Sequence, residues 1–318
     1  MTPTRWVCLV VFLFAASMEA GMLYGISKAS GTVAIYRMDP ATGATALVAD
    51  TGSSTYFVTT TALDPISRRY FFLGTSPNGL LHYIYAVDID TGVFTTAPAS
   101  SLVDWKWDPV SAKLVGLFTT DGLPSGNLGV YSMDPDTGVR TLLVATTINN
   151  YDFTGRAAFD PIGRRYFVLT PSGLYTINLL TSVVTQADPS RVFVELQYDQ
   201  TSGRLVSTYG VINDEVDSMD PATGVANTVV VTDAQGIYLY DTAFDQPGRR
   251  FFFGAASGDI YTVDVATGAF THVAGILAEL EYAPSAAVSQ PVPLFSNLTL
   301  ALLAACLAFL GVIVTLRR

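Results

Sequence analysis

A chain of 318 residues in which half are hydrophobic and only 14% are charged carries enough apolar surface for a large core, which excludes intrinsic disorder. Its 17 basic residues stand against 27 acidic ones, a formal net charge of -10. With no basic patch to displace counterions from phosphates, a nucleic-acid partner is excluded. The mean hydropathy of +0.38 is concentrated at the two ends.

Arg5 and the terminal amine precede an apolar run from Trp6 to Ala16, followed by the small residues Ser17 and Ala20. Charged start, apolar middle and small-residue cleavage site form a secretory signal peptide over 1–20, so the exported chain begins near Gly21. The run is too short to span a bilayer comfortably. Cys8 falls in this segment and Cys306 near the other end, leaving no cysteine between. Disulfides, thiolate catalysis and Cys-ligated metals are thereby excluded from the exported part, and its core alone must stabilise it. That part retains 14 basic and 26 acidic residues, net -12.

Self-similarity organises residues 21–287. Asp39-Pro40-Ala41-Thr42-Gly43 recurs as Asp88 to Gly92, Asp134 to Gly138, Asn178 to Ser182, Asp220 to Gly224 and Asp264 to Gly268, at intervals of 49, 46, 44, 42 and 44 residues. Intervals near 45 residues match the blade length of a β-propeller. Between these copies runs a second motif. Asp64-Pro65 with Arg68-Arg69 recurs as Asp108-Pro109 with Lys113, Asp160-Pro161 with Arg164-Arg165, Asp199 with Arg204 and Asp245 with Arg249-Arg250, and Ala283-Pro284 is a worn sixth copy. Asp caps amides two residues on, Pro presets φ, and Gly takes the left-handed conformation, so both motifs are hairpin turns. The Asp pairs at Asp88/Asp90 and Asp134/Asp136 are turn chemistry too, because the other ligands of a calcium loop are absent. Each arginine is expected to pair with the Asp of its own hairpin.

The runs between turns are short and β-rich, as in Tyr70-Phe71-Phe72-Leu73 and Ile84-Tyr85-Ala86-Val87. They predict an all-β, six-bladed propeller with four strands per blade, ordered inner strand, Asp-Pro turn, second and third strands, Asp-x-x-Thr-Gly turn, outer strand. The chain opens on a second-strand type at Met22 to Ser27 and ends on an inner-strand type at Ile276 to Ala283. The last strand should therefore complete the first blade and close the ring.

Function in such a ring gathers where inner strands meet the central channel. Four residues before each Asp-Pro turn stand Thr60, Asp104, Arg156, Glu195, Asp241 and Glu279, and two before it stand Ala62, Lys106, Ala158, Gln197, Ala243 and Glu281. Period two puts both columns on the channel face, while Leu63, Trp107, Phe159, Tyr198, Phe244 and Tyr282 pack between blades. The ring from Thr60 to Glu279 is either a ligand or cation site or a hydrated lining with Lys106 and Arg156 as counterions. His82 and His272 fall in third and outer strands, away from the channel. No catalytic residues are assigned, and a non-catalytic binding module for a protein or carbohydrate ligand is expected, without a cofactor.

The C-terminal end carries a second apolar run. Leu298 to Leu316 contains no charge and would make a helix of roughly 28 Å, matching the hydrocarbon core, with Arg317 and Arg318 on the cytoplasmic side. A linker at 288–297 and a membrane helix at 298–318 therefore leave the propeller outside the cytoplasm.

Two resemblances accompany these residues. The 45-residue repeats resemble the WD40/YVTN and quinoprotein-like propellers over about 265 residues, in repeat style and not in any catalytic motif. Six-bladed calcium-dependent lactonases and gluconolactonases are similar in holding a Ca2+ ion at an acidic channel mouth, which the ring above would imply here as the alternative reading. Val292-Pro293-Leu294-Phe295-Ser296, the apolar run and the terminal arginines resemble the IPTL-CTERM sorting tail of bacterial envelope proteins, a relative of PEP-CTERM, with Leu294 where that family has Thr. The resemblance implies an exosortase-type sorting enzyme as partner and a cell-surface destination.

Overall fold

The second strands explain the architecture. In Arg250–Ala255 every residue after the arginine is buried, and Arg165–Thr170 behaves in the same way. Alternation is lost where a sheet is covered on both faces, so these strands are sandwiched between neighbouring sheets. Outer strands such as Phe94–Ala99 and Phe270–Ala274 are mostly exposed.

The computed structural model describes residues 21–284, except 28–31, 53–59, 76–81, 100–103, 120–125, 150–155, 190–192, 194, 210–214, 235–236, 256 and 276. The expected signal peptide, sorting motif and membrane helix lie outside the described residues. Residues 21–284 hold six four-stranded antiparallel sheets. Blade 1 comprises β1 (Met22–Ser27), β2 (Ala34–Met38), β3 (Thr45–Asp50) and, last in the chain, β24 (Ala278–Ala283). Blade 2 is β4 (Thr61–Asp64), β5 (Arg69–Thr75), β6 (His82–Asp88) and β7 (Phe94–Ala99). Blade 3 is β8 (Asp104–Asp108), β9 (Lys113–Thr119), β10 (Asn127–Met133) and β11 (Arg140–Asn149). Blade 4 is β12 (Arg156–Asp160), β13 (Arg165–Thr170), β14 (Gly173–Asn178) and β15 (Val184–Ala187). Blade 5 is β16 (Gln197–Asp199), β17 (Arg204–Tyr209), β18 (Glu215–Met219) and β19 (Ala226–Val231). Blade 6 is β20 (Ile237–Asp245), β21 (Arg250–Ala255), β22 (Asp259–Asp264) and β23 (Phe270–Ala274).

Ring closure is as the repeat order requires. β24 pairs antiparallel with β1 through Met22↔Ala283, Leu23↔Tyr282, Tyr24↔Glu281 and Ile26↔Ala278. Between the last two pairs β24 bulges, with Glu279 at φ 56°. The core is divided into layers between blades. One packs Tyr24, Ile26 and Ile35 of blade 1 on Tyr70, Phe72 and Tyr85 of blade 2, and the closing layer packs Leu23, Met38 and Leu280 on Phe252 and Ile260 of blade 6. Each such side chain contributes about 1.5 to 3 kcal/mol by leaving water, so the ring is stabilised by its continuity.

Both turn motifs behave as the residue types dictate. In the Thr-Gly turns the fifth residue donates back to the first carbonyl, as in Gly92 N to Asp88 O at 2.9 Å, and Asp88 Oδ1 caps Asp90 N and Thr91 N. Gly138 sits at φ 71°, and a Cβ there would lie 1.8 Å from the Pro98 carbonyl of the neighbouring blade. Glycine is thus required twice, by conformation and by close approach.

The arginines correct one expectation. Among the described residues only Arg165 and Arg250 pair with the Asp of their own hairpin, at 2.7 Å to Asp160 and 2.7 Å to Asp245. Arg164 and Arg249 reach back to the preceding blade instead, at 2.6 Å to Asp108 and 2.7 Å to Asp199. Blade 1 has Ala283 where an Asp would stand, so Arg68 turns to Asp90 at 2.9 Å and donates to the Tyr24 hydroxyl at 3.4 Å. The physical reason is backbone geometry. Arg68, Arg164 and Arg249 are left-handed, at φ 59°, 53° and 51°, which turns them away from their own hairpin.

Blade interfaces accordingly alternate. From odd to even blades the first arginine forms the latch just described. From even to odd blades an aromatic of the second strand stacks on the residue before the next Asp-Pro turn: Phe71 on Trp107, Phe167 on Tyr198 and Phe252 on Tyr282, with centroids 5.2, 5.3 and 5.3 Å apart. Arg165 and Arg250 lie over these rings and donate to the Tyr198 and Tyr282 hydroxyls at 2.7 and 2.9 Å. The repeating unit is therefore a pair of blades, present three times.

Candidate functional site: the channel and its mouth

The described residues of the channel waist come from the inner segments of blades 1, 2, 3, 5 and 6. Thr60, Asp104, Glu195 and Glu279 line a common waist together with Thr61, Lys106, Gln197, Thr242 and Glu281, around a cavity of 20 Å³ that holds about one water. Four of the six expected ring residues are thus brought together. Arg156 begins β12 and Asp241 lies in β20, at the expected inner-strand positions, and their side chains lie outside the described residues.

The waist is hydrogen-bonded across blades. Thr60 Oγ1 donates to Asp104 Oδ1 at 3.0 Å, the Tyr166 hydroxyl donates to Asp104 Oδ2 at 3.4 Å, and Lys106 Nζ lies 3.5 Å from Asp104 Oδ1. The Tyr70 hydroxyl donates to the Glu279 carbonyl at 2.6 Å and fastens the bulge that carries this residue. Thr61 Oγ1 donates to Glu281 Oε1 at 3.1 Å, and Gln197 Nε2 to Thr242 Oγ1 at 3.0 Å.

Burial and charge in this confined space shift Asp104, Lys106, Tyr166 and Glu281 upward. Burial pushes the Asp104 carboxyl up against the opposing pull of Lys106 and Thr60, and Tyr166 rises well above its ordinary range through burial and the Asp104 carboxylate. Burial disfavours the Lys106 ammonium, yet Asp104, Glu195 and Glu281 outweigh it and keep the lysine protonated. Burial raises Glu281 to about 7, with Lys106 only partly offsetting it.

At the Asp-Pro end the waist opens into a second cavity of about 200 Å³. Leu63, Trp107, Phe159 and Tyr198 form its walls, Pro65, Pro109 and Pro161 its rim, and Lys106, Gln197 and Glu281 are shared with the waist. The aromatics were expected only as packing between blades. They do stack there, and their free edges also make the mouth. An alignment of every second blade would have revealed it: Asp104-Trp-Lys-Trp107, Glu195-Leu-Gln-Tyr198 and Glu279-Leu-Glu-Tyr282 form one series, distinct from Thr60-Thr-Ala-Leu63, Arg156-Ala-Ala-Phe159 and Asp241-Thr-Ala-Phe244. Only the first series carries both an acid and a long polar residue toward the channel. In blades 5 and 6 Gln200 and Gln246 replace Pro, and Gln246 clasps both Gln200 N at 3.0 Å and the Tyr198 carbonyl at 2.5 Å.

Lys106 stands beside Asp104, and among the described residues no three His, Cys, Asp or Glu side chains are grouped to hold a metal. His82 opens β6, and His272 in β23 stacks on Tyr261 at 5.0 Å, 3.9 Å from Asp259, so both lie on strands other than the channel strands.

These features define the class: a six-bladed β-propeller with a charged waist and an aromatic mouth. No family model matches the chain, and no curated protein matches it. Solved structures share the fold. TolB from Acinetobacter baumannii is 15% identical, with TM-score 0.63 over 83% of this chain and 67% of that one. A putative 6-phosphogluconolactonase from Bacteroides fragilis is 10% identical, with TM-score 0.56 over 84% and 99%. The periplasmic gluconolactonase PpgL of Pseudomonas aeruginosa is 13% identical, with TM-score 0.53 over 83% and 99%.

Proposed function

We propose that this chain is an extracytoplasmic, envelope-anchored propeller that acts as a non-catalytic binding module and receives its ligand at the Asp-Pro end of the channel. The observation that carries this reading is the 200 Å³ mouth, with apolar walls and a few polar groups, Lys106, Gln197 and Glu281 at the waist and Gln200 and Gln246 at the Asp-Pro end, the arrangement of a small-ligand or side-chain pocket. Among the described residues no histidine lies in the channel to serve as a base for a nucleophile. The apolar segments at both ends support export and anchoring, as does the fold shared with a protein described as periplasmic. The Val292-Pro293-Leu294-Phe295-Ser296 motif supports handling by an exosortase-type enzyme.

Thermal unfolding against lactones, oligosaccharides and peptides, with and without millimolar calcium, tests this reading. Expected is stabilisation by a ligand that Gln197→Ala or Glu281→Gln weakens, and no response to calcium. Lactone turnover that is lost in Asp104→Asn, or strong stabilisation by calcium alone, would establish the hydrolase instead.

A further inference from the structure

Glu281 is the one described channel acid that lines both cavities. Its hydrogen bond comes from the Thr61 hydroxyl at 3.1 Å, while Lys106 sits 3.5 Å from Asp104. Among the described residues no lysine or arginine nitrogen is paired with the Glu281 carboxylate. It lines both the waist and the mouth, so its charge faces the place a ligand would enter.

The surrounding charge is negative in sum. The described waist contains Asp104, Glu195, Glu279 and Glu281 against Lys106, a formal net of -3. A cation entering the mouth relieves repulsion among these groups, and an anion adds to it. The walls fit the same guest. Trp107, Phe159 and Tyr198 offer apolar ring edges, and Ala62, Leu63 and Ala158 leave room for an apolar body. Arg165, the cation over Tyr198, is held by Asp160 at 2.7 Å.

Resting on the mouth as the binding site, we propose that it takes a small organic ammonium on an apolar body, with the ammonium on Glu281 and the body against Trp107, Phe159 and Tyr198. The ammonium supplies a charged donor to Glu281, which otherwise accepts from the neutral Thr61 hydroxyl, and its hydrocarbon displaces water from the aromatic walls. Proton and ligand then compete for one carboxylate. Thr61, Lys106, Asp104, Glu195, Gln197 and Glu279 face Glu281 in this space, and burial holds its carboxyl at about 7. An alkylammonium remains protonated throughout this range, so its affinity rises from pH 6 to pH 8 as Glu281 ionises.

The experiment titrates hexylammonium, hexanol and hexanoate into the full chain and into Glu281→Gln, following tryptophan fluorescence at pH 6, 7 and 8. A charge-assisted hydrogen bond predicts hexylammonium roughly 10-fold or more tighter than hexanol at pH 8. The advantage should narrow at pH 6 and fall to within about twofold in Glu281→Gln, where only neutral contacts remain. Equal binding of hexanol and hexylammonium, a preference for hexanoate, or an ammonium preference that survives Glu281→Gln overturns the proposal while leaving the mouth as a binding site. Failure of all three probes to bind overturns both.

Discussion

Glu281→Gln tests the electrostatics of the channel through stability as well as binding. Burial raises the Glu281 carboxyl from 4.5 to about 7, so the folded domain holds this proton more tightly than the unfolded chain does. Its contribution to stability is therefore complete below pH 4.5 and is lost as pH climbs through 7. A gap of that size corresponds to at most ~3 kcal/mol, and partial exposure to the mouth reduces this to about 1 to 2 kcal/mol. Glutamine keeps the shape and the Thr61 hydrogen bond but has no proton to lose. Relative to wild type, the variant should be equally stable at pH 5 and about 1 to 2 kcal/mol more stable at pH 8, the attraction to Lys106 being already contained in the value of about 7. The turn carboxyls Asp39, Asp88, Asp134 and Asp264 are all lowered, so they titrate below this window and cancel in the difference. Urea unfolding of both proteins at pH 5, 6, 7 and 8 measures the difference directly. A difference that does not change with pH would refute the raised carboxyl.

Two further perturbations test the ring. Asp199 is fully buried and accepts from Arg249 Nε and Nη2 at 3.1 and 2.7 Å; Asp199→Ala should cost about 3 to 5 kcal/mol, and Arg249→Met in the same chain should recover part of it, as a double-mutant cycle in urea would show. Ending the chain before Leu277 removes β24 and should abolish cooperative unfolding of all six blades, because the β1 edge and the layer around Phe252 and Leu280 are exposed together; a truncated protein with an unchanged melting transition would contradict closure.

The sequence alone determined the number of blades, the order of strands and the closure by the last strand. These follow from local chemistry: Asp, Pro and Gly dictate turns wherever they fall, and turns at regular spacing dictate hairpins. The channel columns were legible for the same reason, since period two and distance from a turn locate a residue on an inner strand without knowledge of its neighbours. What the chain could not disclose locally was which partner each arginine takes. Arg164 and Arg165 are adjacent in sequence yet serve opposite interfaces, one reaching Asp108 and the other Asp160 and Tyr198, because a left-handed residue in the turn reverses its direction. Only the stacking of blades decided this, and with it the mouth. Trp107, Phe159 and Tyr198 read as packing residues in any single blade. They become the walls of a cavity when the inner strands are set around one axis, since a concave surface belongs to the arrangement of blades and to no one of them.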